Sequence, residues 1–167
     1  MFIVQRTIEY AHFTHKLSGR QVDFFNTHLC LCNGDQLLGS AMTITDFMVQ
    51  NRRPGSRIML TGDFNCDDGY EQSKPVMCAS HRNNVAFANS SLFRYFKGQY
   101  GSSPILFDDT FRSYAGEGAD GTTFPGKPGK IDYVMVDQGA GVDNAWIDRE
   151  ARDASDHWPV SAVVSLL

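Results

Sequence analysis

Four strand-like apolar runs in this chain each present polar groups at or near an end. Gln21–His28 closes on Asn26-Thr27-His28. Ile58-Met59-Leu60-Thr61 feeds Gly62-Asp63-Phe64-Asn65. Ile131-Asp132-Tyr133-Val134 carries an aspartate within the run, and Ser155-Asp156-His157 leads into Trp158-Pro159-Val160. Short runs rich in β-branched and aromatic residues, bounded by turn residues, read as strands. Four such runs form one rigid scaffold, and their polar groups read as one site. Carboxylate, amide and imidazole are the groups that hold a hard cation and move protons at a phosphate.

The rest of the chain alternates strand and helix signals. Phe2 to Phe13 reads as a strand, Ser18-Gly19 as a turn, and Gln21 to His28 as the returning strand. Val22, Phe24 and Phe25 make that strand apolar on both sides, which belongs to a layered structure. Asn33-Gly34-Asp35 starts a helix in which Leu37, Ala41, Ile44 and Met48 share one face. Gly39 weakens that helix and Pro54-Gly55 ends it. Arg57 to Thr61 is the next strand. Cys66 to Asn89 lacks a period and reads as a loop with one short helix. Asn89 or Ser90 caps a helix through Leu92, Phe93, Tyr95 and Phe96, ended by Gly98. Pro104 to Thr110 is expected as a strand and Gly116 to Gly129 as a glycine-rich loop. Ile131 to Val136, Val142 to Asp148 and Trp158 to Leu166 are the last three strands. No internal repeat or low-complexity linker interrupts the chain, so residues 1–167 read as one domain.

A length of 167 residues allows one domain with a real core. No apolar stretch approaches a membrane span. The segment from Met1 to Arg6 lacks the basic and apolar regions of a signal peptide, so none is expected in this chain and its compartment is left open. The net charge of −4, with basic residues scattered, argues against tight non-specific nucleic-acid binding. Arg52, Arg53 and Arg57 flank Pro54-Gly55 and read as a solvated turn. Cys30, Cys32, Cys66 and Cys78 form no C-x-x-C pair, which speaks against structural zinc. Cys66 and Cys78 bracket a polar loop and are candidates for a bridge in an exported protein, with free thiols as the alternative.

Each site residue has two readings. Gly62 permits a sharp turn at a strand end. Asp63 can orient a water and take its proton, or hold a metal. Asn65 can bond that water or a phosphate oxygen. The competing reading is an Asx-turn in which both side chains cap local backbone. Asp156 suits a hard cation, and His157 suits proton transfer or charge stabilisation at phosphorus.

The ordered set of Asn26 to Leu29, Gly62 to Asn65, Asp109 to Arg112, Thr122 to Gly126 with Ile131 to Val134, and Ser155 to Val160 resembles the endonuclease/exonuclease/phosphatase family of metal-dependent phosphoesterases. The resemblance runs from about Arg6 to Val164. It implies an α+β fold, a partial four-layer α/β/β/α sandwich of the DNase I-like type with the N-terminal half missing, hence a single truncated domain. It implies His28, Asp63, Asn65, Asp132 and His157 as catalytic residues, and Asp156 with Asp63 as metal ligands. Asp132 would orient the His157 ring, and His28 would lie across the phosphate from it. Asp109 would tie down loops. Thr122 or Thr123 could touch phosphate. His12, His15 and His81 match no motif and are expected on the surface. The implied cofactor is Mg²⁺, with Mn²⁺ as a substitute.

Two departures from the pattern qualify this reading. The family's metal-binding glutamate, on an earlier strand, has no counterpart here, because Glu9 lies in the first hairpin. After His28, Leu29-Cys30-Leu31-Cys32 replaces the aspartate and arginine many members carry. The expected function is phosphoester hydrolysis by in-line attack of water, or the C-terminal fragment of such an enzyme. The substrate would be a nucleic acid, a phospholipid head group or a small phosphoester. The alternative is a catalytically silent fragment or partner-binding module. An uncovered sheet face would favour self-association or a complementing N-terminal half.

Overall fold

A computed structural model describes residues 6–31, 34–67, 91–125, 129–151 and 154–166. Strands β1 (Ile8–Thr14) and β2 (Gln21–His28) form a hairpin, followed by helix α1 (Gly34–Asn51) and strand β3 (Arg57–Asp63). Helix α2 (Ser91–Phe96), strand β4 (Phe107–Asp109) and helix α3 (Thr110–Ala115) come next. Strands β5 (Asp132–Asp137), β6 (Gly141–Ile147) and β7 (Val160–Ser165) complete the described elements. The expected loop from Cys66 to Asn89 lies mostly outside the described residues, as do residues 2–5 of the first expected strand and His81.

Five strands make a mixed sheet in the order β1-β2-β3-β5-β4, and β6 pairs with β7 in a second, two-stranded sheet. β2 and β3 run parallel because α1 carries the chain back between them. The other pairings are antiparallel.

One face of the larger sheet holds the main core. Phe25, Ile58, Leu60, Tyr133 and Met135 are buried there against Leu37, Ala41, Ile44 and Met48, the expected face of α1. Helix α2 adds Leu92, Phe93, Tyr95 and Phe96. Its rings meet the sheet directly: Phe93 lies 4.8 Å from Tyr133 and Phe96 5.4 Å from Phe107. Burying aromatic side chains of this size dominates the energetics of such a core. Alternation along β2 places Val22, Phe24 and Asn26 on the opposite face, where they are only half-buried. That face is partly covered where β7 lies against β5.

Two expectations need correction, and one open alternative is decided. The strand expected from Pro104 to Thr110 shortens to β4, and helix α3 follows at once. Asp109 starts it, accepting a hydrogen bond from the Phe111 amide at 3.0 Å. His12 is not a surface residue. Its side chain is 10% exposed, and Nδ1 lies 2.7 Å from the fully buried carboxylate of Asp23. Tyr10 and the Arg53 amide donate to the same carboxylate at 2.8 and 2.7 Å. His15, by contrast, is exposed as expected. Cys30 and Cys66 are both disulfide-bonded, so neither is a free thiol.

Among the described residues, no helix is long and apolar enough to cross a membrane.

Candidate active site

The site begins with a close approach of two strands. Gly62 in β3 faces Thr27 in β2 with φ 145°, and a Cβ there would sit 1.7 Å from the Thr27 carbonyl oxygen. Only glycine fits. The next register position pairs His28 with Asp63, and across β3 Asp63 pairs with Asp132. Three polar residues therefore occupy one row across three neighbouring strands.

Backbone bonds lock the strand ends. The Leu29 amide donates to the Asp63 carbonyl at 2.8 Å, and the Phe64 amide to the Ile131 carbonyl at 2.8 Å. Asp63 Oδ1 accepts the Asn65 amide at 2.8 Å, an Asx-turn that leaves Asn65 at φ 50°. Asp63 Oδ2 lies 3.3 Å from His28 Nε2.

His157 approaches from the segment before β7. Its amide donates to Ser155 Oγ at 3.0 Å, and the next amide, Trp158, donates to the Thr123 carbonyl at 2.7 Å. The His157 ring stands edge-on to Phe124 at 4.9 Å. Nδ1 lies 2.8 Å from Asp132 Oδ2. The other ring nitrogen has no protein partner among the described residues. Asp63, Asp132 and His157 each offer a ligand atom within 4.8 Å of the others. Thr61, Val134 and Trp158 join them in lining a cleft of about 450 Å³.

The electrostatics follow from two carboxylates facing each other in a half-buried place. Burial raises the pKa of Asp63, and the charge of Asp132 raises it further. The Asn65 amide and the two imidazoles oppose this without cancelling it. Burial alone would lower the pKa of His157. The bond to Asp132 and the charges of Asp132, Asp63 and Asp156 outweigh burial and raise it. The two shifts have different leading causes: burial raises Asp63, with the Asp132 charge adding to it, whereas neighbouring carboxylates raise His157 against burial.

Asp63, Asp132 and His157 thus converge, and His28, with its side chain 57% exposed, sits on the rim beside Asp63. The Asn65 side chain turns toward the His28 loop, donating to the Leu29 carbonyl at 2.8 Å with His28 Nε2 at 3.0 Å. Asp156 is exposed and stands outside the group of three. Asp109 lies away from the cleft, bound by Lys130 Nζ at 2.9 and 3.0 Å. Thr123 does not offer its hydroxyl to the cleft: it is fully buried and accepts the amides of Ile131 and Asp132. The sequence carries no signal for that contact, because hydroxyl and amides are eight and nine residues apart across a glycine-rich loop.

The family model described as the Endonuclease/Exonuclease/phosphatase family matches residues 8–157. No curated protein matches the sequence. Several solved structures share the fold. An endonuclease/exonuclease/phosphatase from Bacteroides vulgatus is 21% identical with a TM-score of 0.69, and 97% of this chain covers 56% of it. The mannosyl-6-phosphatase of Bacteroides thetaiotaomicron VPI-5482 is 23% identical with a TM-score of 0.59, and 98% of this chain covers 58% of it. D. rerio TDP2, solved with a single-strand DNA product, is 14% identical with a TM-score of 0.60; 96% of this chain covers 62% of it. The chain thus spans little more than half the length of these structures.

Proposed function

For a chain that belongs to the endonuclease/exonuclease/phosphatase family, a family of phosphoester hydrolases, we propose a divalent-metal-dependent phosphoesterase. The reaction is in-line attack of water on phosphorus in the cleft between β3, β5 and the Ser155–Trp158 segment. The observation that carries this reading is the convergence of Asp63, Asp132 and His157 with ligand atoms within 4.8 Å of one another.

The donor set suits a hard cation. Two carboxylates share the cleft with an imidazole, their ligand atoms within 4.8 Å of one another. Asp63 would hold Mg²⁺ or Mn²⁺, with exposed Asp156 as the second carboxylate that the family resemblance implies. When bound, such an ion supplies Lewis-acid neutralisation of phosphate oxygen charge.

The chain's own groups supply the remainder. Asp132 fixes the His157 tautomer by accepting a hydrogen bond from Nδ1–H and favours the charged ring. That leaves Nε2–H to face charge developing on the phosphate. Asp63 Oδ2 is the carboxylate oxygen for orienting the attacking water and accepting its proton. The side chain of Asn65 lies 3.0 Å from His28 Nε2 beside Asp63, which supports a role for both in positioning. No Lys or Arg is among the described residues lining the cleft. A polyanion is bound chiefly through basic side chains, so a compact phosphoester is the favoured substrate class over a long nucleic acid.

The test is hydrolysis of p-nitrophenyl phosphate and bis(p-nitrophenyl) phosphate by the purified chain with Mg²⁺, Mn²⁺ or chelator. Metal-dependent turnover should fall by about 10²-fold or more in His157→Ala, as for loss of a positioned proton-transfer group. A folded chain with no metal-dependent turnover would sink this reading in favour of a silent, partner-binding module.

A further inference from the structure

The His157–Asp132 pair spans two segments 25 residues apart in sequence, and both are tied to one side chain that touches neither ring nor carboxylate. Thr123 is fully buried. Its hydroxyl oxygen accepts the amides of Ile131 at 3.1 Å and Asp132 at 3.2 Å, fixing the backbone from which the Asp132 carboxylate projects. Its carbonyl accepts the Trp158 amide at 2.7 Å, fixing the residue after His157. Its neighbour Phe124 stands against the His157 ring. One residue therefore holds both partners of the dyad from behind.

We propose that Thr123 is a positioning residue for the His157–Asp132 pair. This rests on the hydrolytic reading of the cleft and deepens it. Two amides aimed at a single hydroxyl oxygen, those of buried Ile131 and half-buried Asp132, have no other acceptor among the hydrogen bonds of the described residues, so replacing the oxygen leaves both unsatisfied. A buried donor without an acceptor drives local rearrangement. The rearrangement falls on Asp132 itself. The Trp158 bond comes from the Thr123 backbone and survives substitution, so His157 stays while its partner shifts. A pair that meets at 2.8 Å has little tolerance for such a shift.

The experiment uses the whole chain and needs no turnover. The far-downfield proton resonance of His157 Nδ1–H, bonded to Asp132, is recorded at low temperature and assigned by its loss in Asp132→Asn. Thr123→Ser keeps the oxygen and should keep the resonance. Thr123→Val, which places a methyl against the two amides, should abolish it or move it strongly upfield in a chain whose amide spectrum is still dispersed. If Thr123→Val does not fold, Thr123→Ala removes the oxygen without that crowding and carries the same comparison. Thr45→Val is the control: it removes a buried hydroxyl, bonded to Tyr95 at 2.9 Å, from α1. Its resonance should match the unaltered chain. Where turnover is measurable, Thr123→Val or Thr123→Ala should lower kcat by about tenfold to 10²-fold with KM unchanged, as for a displaced catalytic group. A folded Thr123→Val or Thr123→Ala chain that keeps the resonance unshifted overturns the proposal. So does a Thr123→Ser chain that loses it. A chain without turnover refutes the hydrolytic reading and leaves the resonance comparison in force.

Discussion

Replacing Gly62 with alanine tests whether the strand approach sets the geometry of the cleft. A Cβ at that position meets the Thr27 carbonyl oxygen at 1.7 Å and its carbon at 2.8 Å. Both atoms are backbone, so no side chain can rotate away. Restoring even a short contact near 3.0 Å requires β2 and β3 to part by roughly an ångström at this register. The cost has two components. Forcing atoms into a packed region costs about 1–3 kcal/mol. Holding a residue with a Cβ in glycine's backbone region costs about 1–3 kcal/mol more. Gly62→Ala should therefore destabilise the chain by about 2–6 kcal/mol. For a domain of this size that lowers Tm by roughly 4–24 °C. The assay is thermal unfolding followed by circular dichroism, with cleft geometry read from the amide shifts of Thr27, His28 and Asp63. The displacement lies one residue before Asp63, so any turnover should fall by about 10²-fold, the scale expected for an ångström of misplacement. Gly62→Ala with a Tm within about 2 °C of the unaltered chain and unchanged shifts at His28 and Asp63 would refute the reasoning.

Two further perturbations probe the groups around the cleft. In Asp132→Asn the ring of His157 loses its bonded carboxylate, so its pKa should fall relative to the unaltered chain, as read by NMR titration of the ring protons. The sign for stability follows from the raised folded-state pKa: the pair's contribution is fully present below the unfolded value and is lost as pH rises through the folded one. Asp132→Asn should thus destabilise the chain more at acidic pH than above the folded pKa, in urea melts across that range. Lys130→Met should cost about 3–5 kcal/mol, since it strands the buried Asp109 carboxylate. The double variant Asp109→Asn/Lys130→Met should recover a large part of that loss; chemical denaturation of both variants tests it.

The parts of the fold legible in the sequence are those with a short period or a local signal. β2 is found at its expected bounds, and the Leu37, Ala41, Ile44, Met48 stripe is the buried face of α1. Residues at strand ends, Asp63 and His28, were legible because a turn marks each end. Helix α3 was hidden because Asp109 belongs both to the end of β4 and to the helix cap. An aspartate before Thr110-Phe111 is a capping signal, but the apolar run preceding it pointed to a continuing strand. His12 was misplaced because its partner, Asp23, faces it across a hairpin, and burial of an imidazole leaves no mark on its neighbours in sequence. The orientation of the Asn65 side chain was equally hidden. Its partners Leu29 and His28 are brought to it by the parallel pairing of β2 with β3, a contact between segments separated by a whole helix.

The row of His28, Asp63 and Asp132 has an evolutionary consequence. Their spacing is inherited from the main-chain ladder, which holds neighbouring strands about 4.8 Å apart whatever the side chains are. Mutation can change which group occupies a slot in that row but cannot readily move the slot. The segments that close the cleft are not spaced by that ladder, although the one carrying His157 and Trp158 is tied to the Thr123 carbonyl. Substitution in the connecting segments can reshape the cleft, while the ruler against which this row is spaced stays the same.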